Sequence, residues 1–153
     1  MLYLVQHGEA AKETEDPARP LTERGRQEVT RVARTAARLG LEVAVIAHSG
    51  KLRAKQTAEL LAAALRPTPS LVERAGLGPN DDPQGAGHLA EQASVPTMLV
   101  GHLPHLSRLA SLLLVGDPAR EIIAFHMGGI VCLSRQEGQW RLHWALTPQL
   151  TAE

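Results

Sequence analysis

The chain has 153 residues, the size of one ordinary domain with a single hydrophobic core. Its 16 Lys and Arg residues balance 16 Asp and Glu residues, so the formal charge is zero and no overall field attracts nucleic acid or an anionic membrane. The one cysteine, Cys132, excludes an internal disulfide, and no apolar run reaches the roughly 18 residues that span a bilayer. No signal sequence is recognisable. We therefore expect one domain over residues 1–153 in the reducing cytoplasm, with neither nucleic acid nor a membrane as partner.

The first predicted element is a strand at residues 2–5, because four consecutive apolar or aromatic residues are typical of a strand buried on both faces. His7 and Gly8 follow it directly. Glycine lets the backbone turn sharply, so the imidazole would stand at the carboxyl edge of a sheet, where α/β proteins bind ligands. A lone His-Gly pair is more often the simple end of a core strand. The choice between these interpretations depends on the rest of the chain.

Strand and helix signals alternate along the remainder of the chain. A polar loop at 10–20 leads to a helix that Thr22 would cap and Gly40 would end. Residues 41–47 predict a second strand, and the turn at 48–50 leads into a second helix. The later predicted elements are a short strand at 68–73, an exposed loop at 76–87, a weak helix at 88–94, a buried strand at 97–101, a helix with Pro104 at its first position and Gly116 at its end, and a hairpin of 122–134 and 140–146.

This alternation predicts a three-layer α/β/α fold with a mainly parallel central sheet and a C-terminal antiparallel hairpin. Such a sheet gathers the carboxyl ends of its strands at one edge, which would bring together His7, the turn at 48–53 and His102. A neutral imidazole is a suitable nucleophile for a phosphoryl group. An arginine fork, a protonated second histidine and helix N-terminal amides are suitable donors to the phosphoryl oxygens.

Four motifs occur in order along the chain: VQHGEA, RPLTERGRQE, HSGKLRAKQTAELL and VGHLP. With them the chain resembles the histidine phosphatase superfamily, the phosphoglycerate mutase and acid phosphatase group. The resemblance implies a phosphoglycerate mutase-like fold in which His7 is the nucleophile, Arg53 binds phosphate and His102 is the second pocket histidine. It further implies that Gln6, Gly8 and Ser49 line the phosphate site.

Within that superfamily the chain is similar to the small SixA-type phosphohistidine phosphatases. Its small size, the absence of a long insertion before the His102 strand, and the segment at 77–82 carry this similarity. The implied activity is hydrolysis through a phosphohistidine on His7, without a cofactor, with a phosphohistidine-containing protein as substrate. Two alternatives stay open: a phosphatase for a small phosphorylated metabolite, and a phosphate- or phosphoprotein-binding module with impaired catalysis.

Two residues depart from the family pattern. Gln6 stands where the family has arginine, and an amide donates hydrogen bonds without the charge or the guanidinium fork. The loss of one charge-assisted bond corresponds to about tenfold to a hundredfold in phosphate affinity, unless Lys51, Arg19 or another cation compensates. Gly50 stands where the family has proline, which predicts a looser turn and no lost functional group.

The proton donor and a metal site are the remaining questions. Three loop carboxylates near the expected edge are candidate proton donors, although a solvated loop carboxylate is the simpler interpretation of each: Glu9, Asp16 and Asp81. His102 and His105 have a spacing that zinc ligands use, and His7 and His48 would lie near them. No cysteine or paired carboxylate accompanies these histidines, so we predict no metal site.

Overall fold

The computed structural model describes residues 1–152. Its strands are β1 (Leu2–Gln6), β2 (Val45–His48), β3 (Ser70–Glu73), β4 (Thr97–Gly101), β5 (Ile130–Gln136) and β6 (Gln139–Leu146). Its helices are α1 (Glu23–Arg38), α2 (Leu52–Ala64), α3 (Pro83–Gln92) and α4 (His105–Val115), followed near the end by a 3-10 turn at Pro148–Leu150. No helix within the described residues is long and apolar enough to cross a membrane.

The six strands form one sheet in the order β3-β2-β4-β1-β5-β6. The pairs among β1 to β4 are parallel, and β5 pairs antiparallel with both β1 and β6. Tyr3 and Val5 face the core formed with α1 and α2, whereas Leu2 and Leu4 face the core formed with α3 and α4. The uninterrupted apolar run of β1 therefore serves two cores. The predicted three-layer α/β/α fold with a C-terminal hairpin is confirmed.

Helix α3 begins earlier than the sequence indicated. The exposed loop predicted at 76–87 is wrong from Pro83 onward, because Pro83 starts the helix and the Asp82 carboxylate accepts the Gln84 N–H at 2.9 Å. Two glycines obscured this start. The close packing of Ala86 and Ala90 into the core outweighs the low helix propensity of Gly85 and Gly87.

Three other boundaries also differ from prediction. Strand β2 begins at Val45 rather than residue 41, because its pairing with β3 and β4 starts only there. Helix α4 begins at His105, which leaves Pro104 at the N-cap rather than at N1. Residues 122–129 are not strand. Strand β5 pairs with β1 only from Ile130 onward, and the segment before it passes across the carboxyl end of β1.

Candidate active site

Strand β1 delivers His7 to the carboxyl edge of the sheet, where backbone bonds hold it from both sides. The His7 N–H donates to the carbonyl of Gly101 at 3.0 Å, which ties it to the end of β4. On the other side, the Gly128 N–H donates to the carbonyl of Gln6 at 2.9 Å. These two bonds fix the backbone at His7, and the residue is buried.

The hydrogen bonding of the His7 ring fixes its tautomer. Nδ1 lies 2.7 Å from the carbonyl oxygen of Gly8, and since a carbonyl only accepts, Nδ1 carries the proton and donates. Nε2 therefore keeps its lone pair. The pKa of His7 is lowered to about 4, and burial is the main cause. The hydrogen bond to Gly8 opposes this shift, whereas the positive charges of Arg53 and Arg19 add to it. At neutral pH this imidazole is uncharged, as a nucleophile must be.

His102 directly follows β4, and its ring centroid lies 5.1 Å from that of His7. Its Nε2 is 2.6 Å from the hydroxyl oxygen of Ser49, which also accepts the N–H of Lys51 at 3.3 Å. Nδ1 of His102 is buried without a hydrogen-bond partner. Burial, followed by the nearby His7 and Arg53, lowers the pKa of His102 to about 3. The second histidine is therefore neutral in the free protein, not protonated as expected, because no carboxylate offsets its desolvation.

Arg53 lies in the first turn of α2, and Thr57 links that turn to the nucleophile loop. The Thr57 hydroxyl donates to the carbonyl of Arg53 at 2.8 Å and accepts the N–H of Gly8 at 3.0 Å. Nε of Arg53 is buried without a partner, and burial, then Arg19, lowers the pKa of this guanidinium. Thr57 stands inside the HSGKLRAKQTAELL motif, but the motif alone assigns it no role.

Three glycines set the backbone around the site. Gly8 has no room for a side chain because Val29 of α1 approaches to 2.8 Å of its Cβ position. At Gly25, in the first turn of α1, a Cβ would overlap the backbone carbonyl of Glu9. Gly50 has a φ of +90°, which proline cannot adopt because its ring fixes φ near −65°. The turn before α2 therefore requires glycine and is not simply a looser form of the family turn.

The three candidate proton donors have different surroundings in the structure. Glu9 accepts the hydroxyl of Thr22 at 2.7 Å, and Asp16 accepts the N–H of Ala18 at 3.0 Å, so both serve local structure. Asp81 accepts the N–H of Gly78 at 2.7 Å and lines a cavity of about 580 Å³. Ser49, Lys51, Asn80 and Glu73, the last a carboxylate that sequence reasoning missed, line the same cavity.

Positive charges of Arg53, Arg19 and Lys51 act on the two histidines, and a positive environment suits a phosphoryl group. Within residues 1–152, no three His, Cys, Asp or Glu side chains lie together as a metal site would require. The fold and the site define an α/β protein in which two buried histidines meet at the carboxyl edge of the parallel strands. The catalytic roles of the individual residues stay predictions.

Comparisons with known proteins agree with this description. A family model described as the histidine phosphatase superfamily, branch 1, matches residues 2–77. An uncharacterised protein from Picosynechococcus sp. strain PCC 7002 is 38% identical over 130 residues, which cover 79% of this chain and 77% of the relative. The chain belongs to the histidine phosphatase superfamily.

Two solved structures share the fold over nearly the whole length of the chain. A structure of the protein histidine phosphatase SixA complexed with tungstate has a TM-score of 0.82 and 25% identity, with 97% of each chain covered. A phosphoserine phosphatase from Entamoeba histolytica, in complex with 3-phosphoglyceric acid, has a TM-score of 0.71 and 17% identity, with 95% of this chain and 96% of that chain covered. The second similarity concerns the fold alone.

Proposed function

We propose that this protein is a phosphatase that forms a phosphohistidine on His7 and hydrolyses it. The single observation that carries the proposal is the Nδ1–H bond from His7 to the Gly8 carbonyl, which leaves Nε2 as an unprotonated nucleophile in a buried setting. The positive charge of Arg53 acts on both His7 and His102. Developing charge on the phosphoryl oxygens would therefore meet fixed donors.

The chemical steps follow from this geometry. Nε2 of His7 attacks phosphorus, the bond from phosphorus to the leaving group breaks, and the leaving group takes up a proton from solvent. Water then attacks the phosphohistidine, which releases inorganic phosphate and the free imidazole. Nδ1–H of His102 and the guanidinium of Arg53 bind phosphoryl oxygens, and Gln6 donates one uncharged hydrogen bond.

We propose a phosphohistidine-containing protein as the substrate. All three predicted proton donors, Glu9, Asp16 and Asp81, accept local hydrogen bonds. A phosphohistidine has a nitrogen leaving group and is intrinsically labile, so it depends less on a strong general acid than an alcohol ester does. The similarity to SixA along the whole chain supports the same substrate class.

A small phosphorylated metabolite is the second candidate substrate. The observation that favours it is the cavity of about 580 Å³ beside Ser49, which is lined by two carboxylates, Glu73 and Asp81, the residue type that protonates an alcohol leaving group. The Entamoeba histolytica phosphoserine phosphatase has the same fold, so the architecture accommodates that class of substrate. A third candidate, a binding module without catalysis, follows from the neutral Gln6.

The test compares phosphate release from a phosphohistidine-carrying protein, an aryl phosphate, and a panel of sugar and nucleoside phosphates. We expect the phosphohistidine protein to give the highest kcat/KM and His7→Ala to abolish release from every substrate. A higher kcat/KM for a metabolite would replace the first candidate by the second. Phosphate-dependent thermal stabilisation without turnover of any substrate would favour the binding module.

A further inference from the structure

The turn between β2 and α2 carries the Ser49 hydroxyl that contacts His102, and a glycine lies at its centre. Gly50 has a φ of +90°, a conformation that glycine permits but does not enforce. A proline at this position, as in the family pattern, would restrict the backbone through its ring. Other contacts must therefore hold the turn in place if the hydroxyl is to stay 2.6 Å from Nε2 of His102.

The ring of His48 makes such a contact. Its Nδ1 accepts the N–H of Gly50 at 3.1 Å. Since a backbone N–H only donates, Nδ1 carries no proton, and the neutral ring has its proton on Nε2. Burial lowers the pKa of His48, against the Glu73 carboxylate that raises it, so the acceptor is present at neutral pH. Proline has no N–H, so this hydrogen bond requires a residue other than proline at position 50.

The backbone of His48 is held by the sheet. His48 is the last residue of β2, which pairs with β3 on one side and with β4 on the other. Its carbonyl accepts the N–H of Arg74 at 2.9 Å, and only 6% of the residue is exposed. The acceptor is thus attached to an interior strand, and it fixes the position of the Gly50 N–H relative to that strand.

Glu73 is another side chain that lies against Gly50. A Cβ at Gly50 would lie 2.7 Å from the carboxylate carbon of Glu73. Glu73 is exposed at the end of the edge strand β3, where water competes for its carboxylate. Its side chain limits the space around the turn, whereas His48 supplies a directional bond from a buried position.

The held turn determines where the Ser49 hydroxyl points. Oγ of Ser49 accepts the N–H of Lys51 at 3.3 Å, so its own proton is free for Nε2 of His102. The peptide group between Ser49 and Gly50 is the one whose N–H binds His48. Without that acceptor the peptide group could rotate, and the hydroxyl would move away from His102. His48 therefore acts on His102 through Ser49.

We propose that His48 is a positioning residue of the candidate active site: its Nδ1 holds the turn at 48–50 so that the Ser49 hydroxyl meets Nε2 of His102. This inference rests on the proposed function, since the tautomer of His102 matters for a phosphoryl group that receives a hydrogen bond from Nδ1. The role of His48 is indirect, and the phosphoryl group is bound by other residues.

The experiment compares the natural chain with His48→Leu and His48→Asn. Leucine and asparagine have nearly the same shape, but only the asparagine oxygen can accept the N–H two residues further on. His143→Leu is the matched control, because His143 is exposed on β6 at the far edge of the sheet. One measurement is kcat/KM with an aryl phosphate. The other is the nitrogen NMR spectrum of the histidine rings, which reports their tautomers without turnover.

We expect His48→Leu to lower kcat/KM by about twofold to tenfold, the range that corresponds to one ordinary hydrogen bond. His102 should also lose its preference for the tautomer with the proton on Nδ1. His48→Asn should keep that tautomer and a kcat/KM within about twofold of the natural chain, because its side chain retains an acceptor. His143→Leu should match the natural chain in both measurements.

An unchanged His102 tautomer in His48→Leu would overturn the proposal, and so would equal losses of kcat/KM in His48→Leu and His48→Asn. If His48→Leu does not fold, His48→Phe takes its place, since it keeps a ring without the acceptor. A natural chain with the proton of His48 on Nδ1 would overturn the proposal whichever variants fold. A natural chain without turnover would refute the phosphatase, whereas the tautomers would still decide the role of His48.

Discussion

The hydroxyl oxygen of Ser49 lies 2.6 Å from Nε2 of His102, and this contact joins the turn before α2 to the end of β4. Nδ1 of His102 is buried without a partner, and in the proposed mechanism it is the nitrogen that donates to a phosphoryl oxygen. When the hydroxyl donates to Nε2, the ring carries its proton on Nδ1, where a donor is needed. When it donates in this way, Ser49 sets the tautomer of His102.

Removal of this hydroxyl should impair catalysis more than folding. We expect Ser49→Ala to lower kcat/KM by about twofold to tenfold, the range that corresponds to one ordinary hydrogen bond. Steady-state kinetics with an aryl phosphate measure this effect. Ser49→Thr retains the hydroxyl and should keep most of the activity. An alanine variant with the activity of the natural chain would show that Ser49 does not control His102.

Thr57 should matter for both stability and activity because it connects the nucleophile loop to α2. In Thr57→Val the N–H of Gly8 loses its acceptor within a buried region, at a cost of about 1–3 kcal/mol in the free energy of unfolding. Urea denaturation measures this change, and kcat should fall as the loop shifts relative to Arg53. Thr57→Ser keeps the acceptor and serves as the control. Equal stability of the valine variant and the natural chain would contradict the assignment.

The close approach of the Glu9 carbonyl to Gly25 reverses the usual effect of a glycine-to-alanine substitution on stability. Replacement of a helical glycine by alanine usually stabilises a protein by about 0.5–1 kcal/mol. Gly25→Ala should instead destabilise it by about 1–3 kcal/mol, because the new Cβ would overlap backbone that cannot move without displacing the nucleophile loop. Gly85 of α3 is the matched control, since its Cβ position is open. Denaturation curves in which both alanine variants gained stability would refute the close approach.

The depressed pKa values of the two buried histidines predict how activity and stability depend on pH. His7 must be neutral to attack, so kcat/KM should fall as the pH drops through about 4. In the unfolded chain both imidazoles take up protons near pH 6.5, whereas in the folded protein they do so only near 4 and 3. The unfolded state therefore binds more protons between these values, and the free energy of unfolding should decrease as the pH falls from 6.5 toward 4.

Urea denaturation at pH 7 and pH 5 measures this linkage. His7→Ala and His102→Ala remove one titrating group each, so each variant should lose less stability than the natural chain over the same interval. An equal loss in all three proteins would contradict the depressed pKa values.

The central position of β1 was predictable because residues on both faces of that strand are apolar or aromatic. The structure confirms that these two faces pack into two separate cores. The meeting of His7 with His102 was also predictable, since parallel strands end at the same edge. The bond from Ser49 to His102 was not predictable, because it joins residues 53 positions apart whose side-chain directions depend on the turn at Gly50. The start of α3 was missed for a similar reason: packing against α4 outweighed two glycines.

The most direct test of the central claim is to trap the covalent intermediate on His7. The protein is mixed with a radiolabelled aryl phosphate, quenched in alkali within milliseconds, digested, and assayed for labelled peptides that are stable in base and labile in acid. We predict one labelled peptide that contains His7, formed at a rate at least equal to turnover and absent from His7→Ala. Turnover by the natural chain without label on that peptide would contradict the account, because hydrolysis would then proceed without a phosphohistidine.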